Sequence, residues 1–175
     1  VQTEGNRDFL PVNIAVMTVS DTRTEADDRS GNTLIERLEA AGHRLADRAI
    51  IRDEAELIAE KMEQWIDNPE IDVIISTGGT GVTGRDVTPE ALNRVAEKEI
   101  PGFGELFRWI SYQKIKTSTI QSRAMGAVAR GTYIFALPGS TGACKDAWDD
   151  ILVYQLDVRT KPCNFVELMP RLQEK

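Results

Sequence analysis

The sequence predicts a three-layer α/β/α sandwich on a mostly parallel sheet. Three observations predict it. Short, β-branched apolar runs read as strands covered on both faces. Apolar residues at helical spacing lie between those runs. Glycine, proline and capping residues fall where one pattern gives way to the other. Strands alternating with helices in this way build a largely parallel sheet with right-handed crossovers. The 175 residues read as a single domain, 1–175, with 1–11 and 164–175 as peripheral tails.

The run Val12–Val19 is the first strand, followed by a polar loop from Ser20-Asp21 to Arg29. Leu34, Ile35, Leu38 and Ala41 then recur at helical spacing, with Thr33 and Glu36 as a capping box and Gly42 as the stop. Residues 44–51 form a second, less apolar strand and so belong nearer an edge. Asp53 and Glu56 suit the start of a helix whose buried stripe is Ile58, Met62, Trp65 and Ile66. Ile71–Ser76 is the third strand, and a glycine-rich loop runs from Thr77 to Arg85. Thr88-Pro89-Glu90 opens the next helix, with Thr88 as N-cap and proline at N1. Phe103, Leu106, Phe107 and Ile110 have helical spacing, and Thr119–Ala129 reads as a further helix. Tyr133–Leu137 returns to strand character. Pro138-Gly139 is a turn, and Thr141 caps a helix that carries Ala147, Trp148, Ile151, Leu152 and Leu156 inward.

Composition excludes several classes of function. Twenty-eight acidic residues against 21 basic ones leave a net charge of −7, the wrong sign for a nucleic-acid footprint. No apolar run approaches the ~20 residues of a membrane helix, and Val1–Leu10 has no signal pattern. Cys144 and Cys163 lack C-x-x-C spacing and read as free thiols in a reducing, cytoplasmic setting. With His43 as the sole histidine, a His-based zinc site is nearly excluded.

Ser76–Glu90 carries the strongest local signal. It follows a buried strand and precedes a helix, where α/β sheets bind ligands. Gly78, Gly79 and Gly81 let the main chain approach a ligand, and consecutive N–H groups of the loop can form an anion cradle. The bland alternative is a flexible connection. Two familiar fingerprints misfit this loop. Gly79-x-Gly81-x-x-Gly84 matches the dinucleotide pattern, yet the helix begins too late and no acid ends a strand ~20 residues on. As a P-loop, it would put Arg85 and Asp86 at the Lys and Ser/Thr positions.

Asp86 makes better sense beside Mg²⁺, which is commonly held by one or two carboxylates and substrate phosphates. Asp53 ends the second strand and emerges on the same rim. Together they read as a metal–nucleotide site, with N-capping as the alternative for each. Ser20, Pro138, Gly139, Ser140 and Thr141 also end strands and line the same crevice in this reading, though in isolation such residues are caps and turns.

Thr77–Pro89, Pro101-Gly102-Phe103-Gly104-Glu105, Ser122-Arg123-Ala124 and Leu137-Pro138-Gly139-Ser140, in this order, resemble the molybdenum cofactor biosynthesis family over roughly residues 12 to 165. The 137–141 turn and the 160–165 tail are more similar to its protein B branch than to its dedicated adenylyltransferases. The resemblance implies an α/β/α fold and transfer of AMP from Mg-ATP to the terminal phosphate of molybdopterin, with release of pyrophosphate. It implies that Asp53 and Asp86 position Mg²⁺ and nucleotide. Thr77, Gly78, Gly79, Thr80 and Gly81 would supply main-chain donors, and Ser111, Ser140 and Thr141 would contact the pterin or its phosphate. It further implies a homo-oligomer, a trimer or a dimer of trimers, which the apolar stripe at 103–110 would allow. The alternative within the family is a non-catalytic molybdopterin- or nucleotide-binding paralogue.

Overall fold

The computed structural model describes residues 2, 3 and 7–174. Parts of the two expected tails, residues 1, 4–6 and 175, lie outside the described residues. The elements run β1 (Gln2–Thr3), β2 (Asn13–Val19), α1 (Arg29–Ala40), β3 (Arg44–Ile51), α2 (Ala55–Ile66), β4 (Val73–Thr77), α3 (Thr88–Val95), β5 (Lys98–Ile100) and α4 (Pro101–Ile115). A 3₁₀ segment (Lys116–Gln121) follows, then β6 (Met125–Ala129), β7 (Thr132–Leu137) and α5 (Thr141–Ala147). A π-helical turn (Trp148–Leu152) leads through α6 (Val153–Gln155) to β8 (Thr160–Lys161) and α7 (Phe165–Leu168).

Six strands form one mixed sheet in the order β3-β2-β4-β7-β6-β5. The first four are mutually parallel, β6 runs antiparallel to β7, and β5, antiparallel to β6, runs in the direction of the first four again. The less apolar β3 takes an edge, in keeping with its composition. The apolar runs are continuous because both faces are covered, and successive side chains feed opposite layers. On one face Ile14, Val16, Val73, Ile75, Tyr133 and Phe135 pack with residues of α1, α4 and α5. On the other, Ala15, Met17, Ile74, Ile134 and Ala136 pack with α2 and α3. Full burial of side chains such as Leu34 or Ile58, neither of them exposed at all, contributes roughly 1.5–3 kcal/mol each.

Several element boundaries differ from expectation. The first helix begins at Arg29, four residues before Thr33, because Asp28 rather than Thr33 caps it, accepting from Gly31 N at 3.0 Å. Thr88 is the first helical residue of α3 and does not cap it; its hydroxyl donates instead to Gly78 O at 2.8 Å. Ser140, not Thr141, caps α5, accepting from Ala143 N at 3.1 Å. Thr119–Ala129 is not a helix: a 3₁₀ turn gives way to β6. Ala127 and Ala129 face the α2/α3 layer while Val128 faces the other. Small residues there suit either period, and the pairing of β6 with β7 decides between them. Residues 164–172, expected as a peripheral tail, bring the buried Asn164 and Val166 onto the core, and Tyr133 Oη donates to Phe165 O at 2.9 Å.

Candidate active site

Parallel strands leave their carboxyl ends on one rim, and three of them converge here. Gly78 follows β4 with φ +107°, and a Cβ on it would lie 2.3 Å from Val19 O at the end of β2. Its N–H donates to Leu137 O at the end of β7 at 2.9 Å. Gly79 has φ +67°, and a Cβ there would lie 2.5 Å from Thr88 Oγ1 and 3.3 Å from Asp53 Oδ1. Only glycine fits such close approaches with a left-handed backbone. The loop therefore passes directly over the strand ends rather than arching into solvent.

Both candidate carboxylates stand against this loop. Asp86 lies beside Gly81, whose hypothetical Cβ would be 2.7 Å from Asp86 Oδ2. That oxygen accepts from Thr83 N at 2.9 Å and Thr83 Oγ1 at 2.7 Å. Burial pushes the Asp86 carboxyl up, but the Thr83 bonds, with help from Gly81 N–H and Arg123, outweigh it and hold it below the ordinary carboxylate range. Asp53 follows β3 and precedes α2. It does not cap that helix, whose N-cap position is Glu54 without a side-chain bond. Its own N–H donates to Asp21 Oδ1 at 3.3 Å. Burial and the negative charge of Asp21 push the Asp53 carboxyl above its usual value, and Asp86 adds to the push against the opposing Arg85. Arg85 is itself committed to Asp21, reaching both carboxylate oxygens through Nη2 at 2.9 and 2.7 Å.

A cleft of about 700 Å³ opens between the loop and α4, large enough for a nucleotide or a pterin. Of the residues expected at the site, Gly78, Gly79, Thr80, Gly81, Asp86, Ser111, Pro138, Gly139 and Ser140 line it. Ser20, Thr77, Asp53 and Thr141 do not. Ser20 Oγ accepts from the N–H groups of Thr22 and Arg23, both at 3.2 Å, and so closes a turn. Thr77 is wholly buried, donating to Pro138 O at 2.9 Å and touching Cys144 Sγ at 3.2 Å. Burial pushes the Cys144 thiol up to about 11, which keeps it protonated and unreactive. Asp53 sits against Gly79, outside the cleft lining, and Thr141 begins α5. Cys144 and Cys163 are both free thiols, and His43 is buried between Phe9 and Trp148 as a structural residue.

The far wall went largely unread in the sequence. Lys114, Ile115, Ser118, Gln121 and Ser122 line it, and Lys114 pairs with Asp146 of α5. Lys114 lies three residues beyond Ser111 on one helix face, the signal that would have found it. The 103–110 stripe is divided. Phe103 and Phe107 are core, whereas Leu106, Trp109, Tyr112 and Ile115 form an exposed face. Among the described residues no three acidic, histidine or cysteine side chains come together as a metal cage. Two partly exposed carboxylates beside main-chain N–H groups nonetheless suit Mg²⁺ brought in with phosphate oxygens and water as its other ligands.

A glycine loop flanked by two carboxylates outside the carboxyl ends of a largely parallel sheet puts the cleft where α/β proteins bind their ligands. Residues 15–158 match the family described as "Probable molybdopterin binding domain", and the chain belongs to this family of molybdenum cofactor biosynthesis proteins. It is 48% identical over 158 residues to molybdenum cofactor biosynthesis protein B of Escherichia coli K12, an alignment covering 90% of this chain and 93% of that one. A crystal structure of a molybdenum cofactor biosynthesis protein B superposes with a TM-score of 0.86 at 36% identity, over 97% of this chain and 100% of the other. The tungsten cofactor synthesizing protein MoaB of Pyrococcus furiosus superposes with a TM-score of 0.74 at 33% identity, over 81% and 91%.

Proposed function

We propose that the chain binds molybdopterin in the cleft and, with Mg-ATP as co-substrate, transfers AMP to the molybdopterin phosphate. A phosphate oxygen of molybdopterin attacks the α-phosphorus in line, the bond from that phosphorus to the bridging oxygen of the β-phosphate breaks, and pyrophosphate leaves. The observation that carries this reading is that Asp53 and Asp86 both stand against one glycine loop, with Asp86 also lining the cleft. Two cations of this rim are matched by acids, Arg85 by Asp21 and Lys114 by Asp146. A divalent cation would ease the approach of a polyphosphate to a rim that carries Asp53 and Asp86, and this supports reading the two carboxylates as its ligands. Mg²⁺ supplies charge neutralisation. The protein's part is to fix Asp86 through Thr83, to offer loop N–H groups to phosphate oxygens, and to hold the pterin against Ser111 and Ser140. The test is pyrophosphate release from Mg-ATP and molybdopterin. Asp86→Asn should lower turnover by about 100-fold or more, the scale of losing one electrostatic catalytic contact; equal, measurable turnover in both proteins removes Asp86 from the mechanism, and no release by the wild type above the Asp86→Asn control removes the enzyme reading.

A non-catalytic binding role is favoured by one observation: Asp53 lies outside the cleft lining with its charged form disfavoured. That role predicts pterin binding by calorimetry that survives Asp53→Ala, with no turnover in either protein.

The exposed apolar face of α4, with Trp109 64% exposed, and Ile120 of the following 3₁₀ segment, 83% exposed, support self-association, which we read as a trimer or dimer of trimers. Trp109→Glu should reduce the mass measured by light scattering to that of a smaller species. A cytoplasmic location fits the two free thiols, and no helix among the described residues is long and apolar enough to cross a membrane.

A further inference from the structure

Ser122-Arg123-Ala124 continues from the far wall of the cleft, and Arg123 has no part in the chemistry above. In the structure Arg123 is fastened to the glycine loop along its length. Its main-chain N–H donates to Thr80 O at 2.8 Å. Its guanidinium donates through Nε to Gly81 O and through Nη2 to Asp86 O, each at 2.7 Å. The same group pairs with the Glu90 carboxylate in the first turn of α3. A planar fork of fixed donors can bridge two carbonyls in this way, whereas a lysine ammonium presents one point charge.

The bridged carbonyls begin and end the segment that carries Asp86, while Val82–Arg85 between them are exposed. Arg123 does not line the cleft, so any effect on a ligand passes through the loop. It also follows directly on Gln121 and Ser122 of the far wall, which makes it the covalent and hydrogen-bonded link between the two sides. We propose that Arg123 is the positioning residue of this site: it straps the 80–86 loop from behind, sets where the Asp86 carboxylate stands, and ties that loop to the far wall. The ligand it serves, Mg-ATP, rests on the function proposed above; the strap itself does not.

The test compares Arg123→Ala, Arg123→Lys and Glu90→Gln by amide hydrogen exchange and by calorimetric titration with Mg-ATP. The Thr83 and Asp86 amides report on the loop, being bonded at 2.9 and 3.0 Å to Asp86 Oδ2 and Thr83 O. Arg123→Ala should speed their exchange about tenfold or more, with core amides such as Ile75 and Phe135 unchanged. Arg123→Lys should fall between, and Glu90→Gln, which keeps both carbonyl bonds, should match the wild type. Mg-ATP affinity should drop in the same order. Unchanged loop exchange in Arg123→Ala, or an equal loss of protection in the core, overturns the strap. If wild-type protein takes up no Mg-ATP, the proposed function fails, and the exchange data still decide the strap.

Discussion

Asp28 offers the sharpest test of how the rim of the sheet is held. It is 1% exposed and accepts three close hydrogen bonds: from Gly31 N at 3.0 Å, from Thr18 Oγ1 at 2.7 Å and from Arg48 Nη2 at 2.9 Å. One carboxylate thus caps α1, fixes the end of β2 and neutralises an arginine of β3. In Asp28→Ala the cap alone is worth about 1 kcal/mol. The larger cost is Arg48, whose side chain is only 19% exposed and would be left without its partner. Breaking a buried pair from one side costs roughly 3–5 kcal/mol, and the contributions overlap rather than add.

Urea unfolding at neutral pH should therefore show a loss of about 3–5 kcal/mol, with a fall in Tm of about 10 °C for a chain of this size. A second perturbation reaches the same network without touching a charge. A Cβ at Gly31 would lie 2.1 Å from Asp28 Oδ2, so Gly31→Ala must displace the carboxylate. If the penalty comes from the stranded guanidinium, adding Arg48→Met to Asp28→Leu should recover at least about 1 kcal/mol over the sum of the single changes. A loss below about 1 kcal/mol in Asp28→Ala, or strict additivity in the double variant, refutes this account.

Two further outcomes follow from the same physics. His43 is buried, accepts from Val12 N through Nδ1 at 3.2 Å and has no partner at Nε2; burial lowers its pKa from 6.5 to about 4. Between those values the unfolded chain binds the proton and the folded one does not, so stability falls as pH drops through that window, by up to about 3 kcal/mol. Denaturant midpoints taken from pH 7 to pH 4 should show that slope, and His43→Phe should flatten it. Gly79→Ala combines φ +67° with a Cβ 2.5 Å from Thr88 Oγ1, costing about 1–2 kcal/mol for the backbone conformation alone. It should weaken ligand binding by calorimetry more than it lowers the unfolding midpoint.

Legibility in the sequence followed how local each determinant is. The strands β2, β4 and β7 were readable because burial on both faces leaves an uninterrupted apolar run, as in Ile14–Met17 and Ile134–Leu137. The glycine loop was readable because the strained positions Gly78 and Gly79 admit no other residue, so steric necessity is written directly into the chain. Caps were less readable, since several side chains near a helix start can serve. Thr33 and Thr88 have the right chemistry, yet α1 has already begun after its cap Asp28, which accepts from Gly31 N, and the Thr88 hydroxyl is taken by the Gly78 carbonyl.

Residues 100–130 resisted for a different reason. Helix α4 has apolar side chains on nearly every face: Phe103 and Phe107 enter the core, Ser111 and Lys114 face the cleft, and Leu106 and Trp109 face outward. A helix with three apolar-to-mixed faces has no single stripe, so its spacing identifies the helix but not which face does what. The small residues of β6 carry even less pattern; Gly126 is selected by contact, a Cβ there lying 3.1 Å from both Phe103 and Phe135. Arg123 shows the same limit from the functional side. Its four attachments join residue 123 to residues 80, 81, 86 and 90, a sequence separation no periodicity spans. What made it visible was its place in a motif, and what gives that motif a physical reason is the guanidinium lying behind the loop that carries Asp86.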